Sequence, residues 1–212
     1  MTPGPRAPVL RTGEKLLAPP RQARSLARRR RLLEAGRALL AERGYEATSI
    51  EQITSRAGTA AGAFYTYFRS KRQLLVVLMN ELLERLSRLD LRPRGQATAR
   101  DRLRDFLAAV FRADRQYYGV VRAWQEASLT DPELGRMRAA IESWTGARIL
   151  RVFRLLQSFP NARSDRDLPT FARMMDRHFW SLLARGSRLR PRDFACEVRM
   201  AADVIYHYLF RD

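Results

Sequence analysis

The chain has 212 residues, and its 40 lysines and arginines against 22 aspartates and glutamates give a formal charge of +18 at pH 7. That length accommodates one or two domains with a sizeable core, and the charge favours a polyanionic partner such as nucleic acid or an anionic membrane surface. A single cysteine, Cys196, excludes an intramolecular disulfide framework and suits a reducing cytoplasm, while no apolar run approaches the length of a membrane span.

Residues 1–24 hold five of the ten prolines, five basic residues and one acid, with little periodicity, and are expected to form a disordered basic tail. An inert extension outweighs a basic arm adding phosphate contacts. Leu16-Leu17-Ala18 is too brief for an export-signal core, which predicts a cytoplasmic protein. Residues 25–75 carry ten basic and four acidic residues, so net positive charge is densest in the N-terminal third of the chain. The basic residues are nearly all arginine, as a GC-rich coding bias also produces, so charge alone says little about function.

Ser25 is expected to cap a helix with Leu32, Leu33, Gly36, Leu39 and Leu40 at helical spacing, ended by Gly44. Its leading turn, Arg28 to Arg31, suits phosphate contact. Thr48 and Glu51 form a capping-box pattern that starts a short helix with Ile50, Ile53 and Ala57 on one face. Gly58 marks the turn. A second helix is predicted from about Ala60 to Tyr67, with Thr59 as its cap and Phe64 and Phe68 facing inward. Its other face is small: Ala60, Ala61, Gly62, Ala63 and Thr66 let a backbone approach a partner closely. Tyr65, Tyr67 and Lys71 at its exit are placed to meet phosphate oxygens. Helix packing in a larger bundle would use the same small residues and aromatics.

The run Thr48-Ser49 to Lys71 resembles the DNA-binding region of TetR-family transcriptional regulators, through the Ala57-Gly58 turn, the stretch Gly62 to Thr66 and the exit Tyr65-Thr66-Tyr67-Phe68-Arg69-Ser70-Lys71. The resemblance is specific from about residue 28 to 83 and architectural beyond. It implies a helix-turn-helix DNA-binding domain over 25–71, with Arg28, Thr48, Ser49, Thr59 to Ala63, Tyr65, Thr66, Tyr67 and Lys71 as the DNA-binding set. Ala63 and Thr66 replace the family's frequent Thr or Ser and His. Methyl contacts, backbone positioning and DNA shape then carry more of the specificity.

Beyond this unit, Ser70 with Gln73 starts a long helix expected to reach about Leu91 and to join two domains. Arg92-Pro93-Arg94-Gly95 breaks it, and Thr98 with Asp101 starts the next, ending near Ala113. Another spans about Arg115 to Leu129. Asp131-Pro132-Glu133 opens a long helix to about Ser158. Pro169 and Pro191 open the last two, closed in the first case by Gly186. Their apolar stripes include Phe171, Met175, Phe179 and Leu182, then Val198, Ile205 and Leu209.

The chain therefore reads as all-α, about nine helices, with an N-terminal three-helix unit and a larger helical domain over 72–212. In the TetR plan that larger domain binds ligand and its last two helices pair two subunits. The two stripes are extensive enough to predict a homodimer interface. Tyr117, Trp124, Trp144 and Phe153 are either core or the lining of a pocket for a small apolar or aromatic ligand, with Gln125, Glu126 or His178 as orienting groups. His178 and His207 have no metal-ligand spacing around them, and no catalytic dyad, cofactor motif or metal site is expected. The expected function is that of a sequence-specific DNA-binding regulator, a repressor released by a ligand. A charge-driven non-specific DNA binder and an all-α ligand-binding protein with a vestigial DNA domain are the alternatives.

Overall fold

A computed structural model describes residues 6–11, 13, 17, 20–88, 98–113, 115–186 and 188–211. Among these are nine α-helices and one 3-10 turn, and extended pairing is confined to an isolated bridge between Ala162 and Phe210. The helices are α1 Ala23–Arg43, α2 Ile50–Arg56, α3 Gly62–Tyr65, α4 Lys71–Arg88, α5 Ala99–Ala113, α6 Tyr118–Thr130, α7 Pro132–Gln157, α8 Leu168–Gly186 and α9 Pro191–Leu209. The 3-10 turn, Arg115–Tyr117, begins the segment expected to be one helix from Arg115. The predicted break at 92–95 lies outside the described residues.

Several starts differ from the sequence reading by a residue or two. α1 begins after Gln22, which supplies no side-chain cap, so Ser25 lies inside the helix. α2 is capped by Ser49 and not by Thr48: the Ser49 hydroxyl accepts from the Gln52 N–H (3.2 Å) while the Gln52 side-chain Oε1 accepts from the Ser49 N–H (3.0 Å). Thr48 is buried and donates to the Gly44 carbonyl (2.7 Å), which removes its hydroxyl from any cap. At α7 the sequence signal holds, with the Asp131 carboxylate accepting from the N–H groups of Glu133 (2.9 Å) and Leu134 (3.2 Å).

The chain divides into two compact units. One comprises residues 8–84 and 116–139, and so extends well past the expected boundary at 71 to include most of α4, all of α6 and the start of α7. Its core is built from Leu32, Leu40, Ile53, Phe64, Phe68, Leu74 and Leu78, each essentially fully buried. The expected disorder of residues 1–24 is corrected at Leu10, which is buried and exchanges two hydrogen bonds with the Asn80 side chain (2.8 and 3.0 Å). An amide side chain that pairs both backbone groups of one residue fixes that residue as a strand partner would.

The other unit comprises residues 1–7, 85–115 and 140–212. In it α5 packs along α9, with Arg100 and Arg104 both paired to Asp203 (3.0 and 2.8 Å). Phe111 meets Phe179 and Phe194 edge-on, and Phe171 stacks against Phe153 and Tyr208. These contacts correct the expected interface. Phe171, Met175, Leu182, Val198, Ile205 and Leu209 are all buried within the subunit itself, and Phe179 is half-buried in the same core. The apolar residues that α8 and α9 leave exposed are Met174, Met200 and Val204. No helix among the described residues is long and apolar enough to cross a membrane.

Candidate nucleic-acid interface

α2 and α3 are joined by a turn whose geometry follows from Gly58. It has φ +62°, a left-handed conformation that costs a residue without Cβ little. The N–H groups of Gly58 and Thr59 return to the carbonyls of Ser55 and Thr54 (3.1 and 3.0 Å), closing α2 as a helix C-terminus usually closes. Thr59 does not cap α3; its hydroxyl faces the Thr54 carbonyl at 3.5 Å. α3 is a single turn, shorter than the expected 60–67. Hydrogen bonds from Ala63 to Ala60, Phe64 to Ala61, Tyr67 to Phe64 and Phe68 to Phe64 extend helical winding on either side of it.

Phe64 and Phe68 anchor this segment, both buried with ring centroids 5.4 Å apart. The opposite side is open: Ala60, Ala61, Gly62 and Thr66 are exposed, Ala63 is half-buried, and Tyr65 is 56% exposed with its edge against Phe64. A Cβ added to Gly62 would meet nothing within 4 Å, so no contact inside the protein requires glycine there. Ser49, at the start of α2, and Arg28, on α1, are half-buried. Of the four-arginine block, Arg30 and Arg31 face solvent, while Arg29 lies 5.5 Å from the Phe68 ring centre. Burial lowers the Arg29 pKa, an effect opposed by Glu81.

Three expected contact residues serve the scaffold instead. Thr48 is buried as described, and Tyr67 is only 5% exposed, packed with the phenylalanines. Lys71 donates to the Tyr45 carbonyl (2.7 Å) and sits 4.2 Å over the Tyr45 ring. Burial lowers its pKa, opposed by the carboxylates of Glu46 and Glu126. The positive group exposed at this exit is Arg69.

Glu126 has a role that sequence reasoning missed. Its carboxylate accepts from the N–H groups of Tyr45 (2.9 Å) and Glu46 (3.2 Å), holding the turn between α1 and α2. Arg122, one helical turn earlier, donates to the carbonyls of Leu40 and Ala41 (3.1 and 3.0 Å), satisfying the C-terminus of α1. Gly119 completes the face by letting α6 lie directly on Ala41. The spacing 119, 122, 126 follows one side of a helix and is the signal that would have revealed it. Charge complementarity across two distant stretches has no such marker.

The expected ligand residues divide. Trp144 and Phe153 line an apolar cavity of about 120 Å³ within the unit of residues 85–115 and 140–212. Tyr117, Trp124 and Gln125 belong to the other unit. Tyr117 is buried with its hydroxyl on Glu81 (3.1 Å) and Arg37 over its ring, and Trp124 is buried beside it on α6. His178 lines a surface depression with Met174, Cys196 and Met200, not the cavity. The cavity residues missed from sequence include Phe106, Phe111 and Asp176.

Residues 32–78 match the family model for bacterial regulatory proteins of the tetR family. That match places the family resemblance on the helix-turn-helix segment. Its similarity to the HTH-type transcriptional regulator BetI of Cronobacter sakazakii is 31% identity over 116 residues, 52% of this chain and 57% of that protein. With the HTH-type transcriptional repressor KstR of Rhodococcus jostii it shares 36% identity over 86 residues, 41% and 40% of the two chains. The chain thus spans about half the length of these curated relatives. Over the whole fold, the chain is similar to the SmeT–triclosan complex, with TM-score 0.68 and 24% identity over 88% of this chain and 93% of that one. It is also similar to the fatty acid degradation regulator FadR of Bacillus halodurans, with TM-score 0.65 and 13% identity over 84% and 94%.

Proposed function

We propose that the chain is a sequence-specific DNA-binding transcriptional regulator, a repressor released from its operator by a small molecule, acting as a homodimer in the cytoplasm. The observation that carries this reading is the outward face of α3. It is a run of small residues with Gly62 unobstructed, held on two buried phenylalanines and preceded by a helix with a complete capping box. Such a face admits close approach by a groove wall, with Tyr65, Thr66 and Ser49 as polar contacts and Arg30, Arg31 and Arg69 as phosphate contacts. DNA contact is assigned to the 25–71 segment.

Selection of bound fragments from a random duplex pool tests the reading. A shared, pseudo-palindromic sequence that resists competition by unrelated duplex supports it. Binding that unrelated duplex abolishes indicates a charge-driven non-specific binder, and no binding at low salt indicates a vestigial DNA domain. Two-fold pairing is assigned to the exposed Met174, Met200 and Val204 on α8 and α9. The aromatic cavity with Trp144 and Phe153 supports the ligand reading, as does the bound aromatic molecule named for the SmeT relative.

A further inference from the structure

Asp176 of α8 lies in the wall of the cavity and is 5% exposed, among Phe106 and Phe111 of α5, Trp144 of α7, and Phe179 and Trp180 of α8. Its hydrogen-bond neighbours are neutral, the side chains of Thr145 and Trp180, and no ion pair reaches it among the described residues. The other charged group in the wall, Arg148, is engaged elsewhere. It donates to the carbonyls of Leu86 and Ser87 in the last turn of α4 (3.0 and 3.4 Å) and lies 5.1 Å from the Trp144 ring centre. Buried charges in proteins are paired or neutralised, and a carboxylate whose hydrogen-bond partners are all neutral, facing an aromatic chamber, leaves room for a bonded cation.

We infer that this cavity binds a small aromatic amine, its ammonium paired with Asp176 and its ring held among Phe106, Phe111, Trp144 and Phe179. The aromatic faces add cation–π attraction to the ion pair. The size of the ligand follows from the volume: about 120 Å³ is comparable to an apolar cavity of roughly 150 Å³ that accepts benzene. One ring and a short aminoalkyl arm fit that space. The inference rests on reading this unit as the sensing half of the regulator.

Burial raises the Asp176 carboxyl to about 6, with Glu142 adding to the rise and Thr145, Trp180 and Arg177 opposing it. The charged groups around it are Glu142 and Arg148 of α7 and Arg177 beside it; α5 and α9 present only apolar side chains to the cavity. At pH 7.5 the carboxylate is ionised and at pH 5 it is mostly neutral, while an amine such as benzylamine stays protonated at both. Only a fraction of about one tenth of the sites is then competent at pH 5, so amine affinity falls about tenfold.

Titration calorimetry of the full chain with benzylamine, benzyl alcohol and benzoate at pH 7.5 and pH 5 tests this. We expect benzylamine to bind more tightly than benzyl alcohol at pH 7.5 and to lose about tenfold at pH 5, with benzyl alcohol unchanged and benzoate weakest. Asp176→Asn should weaken benzylamine at least tenfold and spare benzyl alcohol. Absent benzylamine binding, equal affinity for amine and alcohol, or an unchanged Asp176→Asn affinity overturns the inference. The pH comparison uses the parent chain and decides the matter even if the variant fails to fold. A duplex-release assay separates the two readings. Amine that binds through Asp176 without releasing DNA overturns the sensing role alone, whereas release by benzyl alcohol and not by benzylamine overturns the amine alone.

Discussion

The close approach of α1 and α6 in the unit of residues 8–84 and 116–139 offers a quantitative test. A Cβ built on Gly119 of α6 falls 2.3 Å from both Cα and Cβ of Ala41 in α1, and 2.8 Å from its backbone nitrogen. These atoms have no rotamer with which to turn aside. Carbon atoms rest near 3.5–4.0 Å apart, so Gly119→Ala requires α1 and α6 to separate by about 1.2 Å or more. Overpacking of that kind costs about 1–3 kcal/mol. The substitution also gains roughly 0.5–1 kcal/mol, because alanine favours a helix interior over glycine. The net loss, about 1 kcal/mol at the middle of both ranges, lowers Tm by about 2–4 °C in a chain of this length. The separation also loosens the bonds from Arg122 and Glu126 to the end of α1, so duplex affinity should fall further than Tm suggests. Calorimetric melting and fluorescence anisotropy on a labelled operator measure the two effects. A Gly119→Ala variant that melts at or above the parent temperature would refute the close packing.

Gly62→Ala, by contrast, should preserve or raise Tm, since its added methyl meets nothing; Gly62→Leu should also melt normally and lose operator binding, and retention of tight binding would remove Gly62 from the interface. Leu182→Glu places a charge at a fully buried site and should unfold the chain, whereas Met200→Glu, at a residue 61% exposed, should leave the fold intact and yield monomers in sedimentation; a Met200→Glu species of unchanged dimer mass would move the interface elsewhere. Asp176 has a folded pKa raised above its unfolded value, so the native state holds its proton more tightly and stability from this group is present at low pH and lost as pH rises from about 4 to about 6. Asp176→Asn should therefore be more stable than the parent at pH 7.5 and match it below pH 4, and parallel denaturation curves at both pH values would contradict the buried carboxylate.

Helix number, type and most boundaries were legible because they rest on local signals: the Asp131-Pro132-Glu133 start, the glycine ends at 44 and 58, and stripes at helical spacing. The cap of α2 was displaced by one residue because Thr48-x-x-Glu51 and Ser49-x-x-Gln52 overlap, and only the burial of Thr48 against Gly44 chooses between them. A stripe on α8 or α9 announces that it must be covered but not by what, and here the subunit's own α5 and α7 cover it. The same limit assigned Tyr117 and Trp124 to a pocket. Aromatics in one helix reveal their spacing, while the cavity is formed by residues from α5, α7 and α8 that only the fold brings together.

The clasp of Glu126 and Arg122 on the end of α1 bears on how such regulators can be recombined. The unit that carries the proposed DNA contacts is assembled from two stretches, 8–84 and 116–139, with about thirty residues of the other unit spliced between them. A chimera joined at residue 71 would leave the carbonyls of Leu40 and Ala41 and the N–H groups of Tyr45 and Glu46 without their partners from this chain. Transplanting the proposed DNA-reading unit onto another sensor therefore calls for three junctions, near 84, 115 and 139, so that the receiving protein inherits α6 together with the helices it clasps.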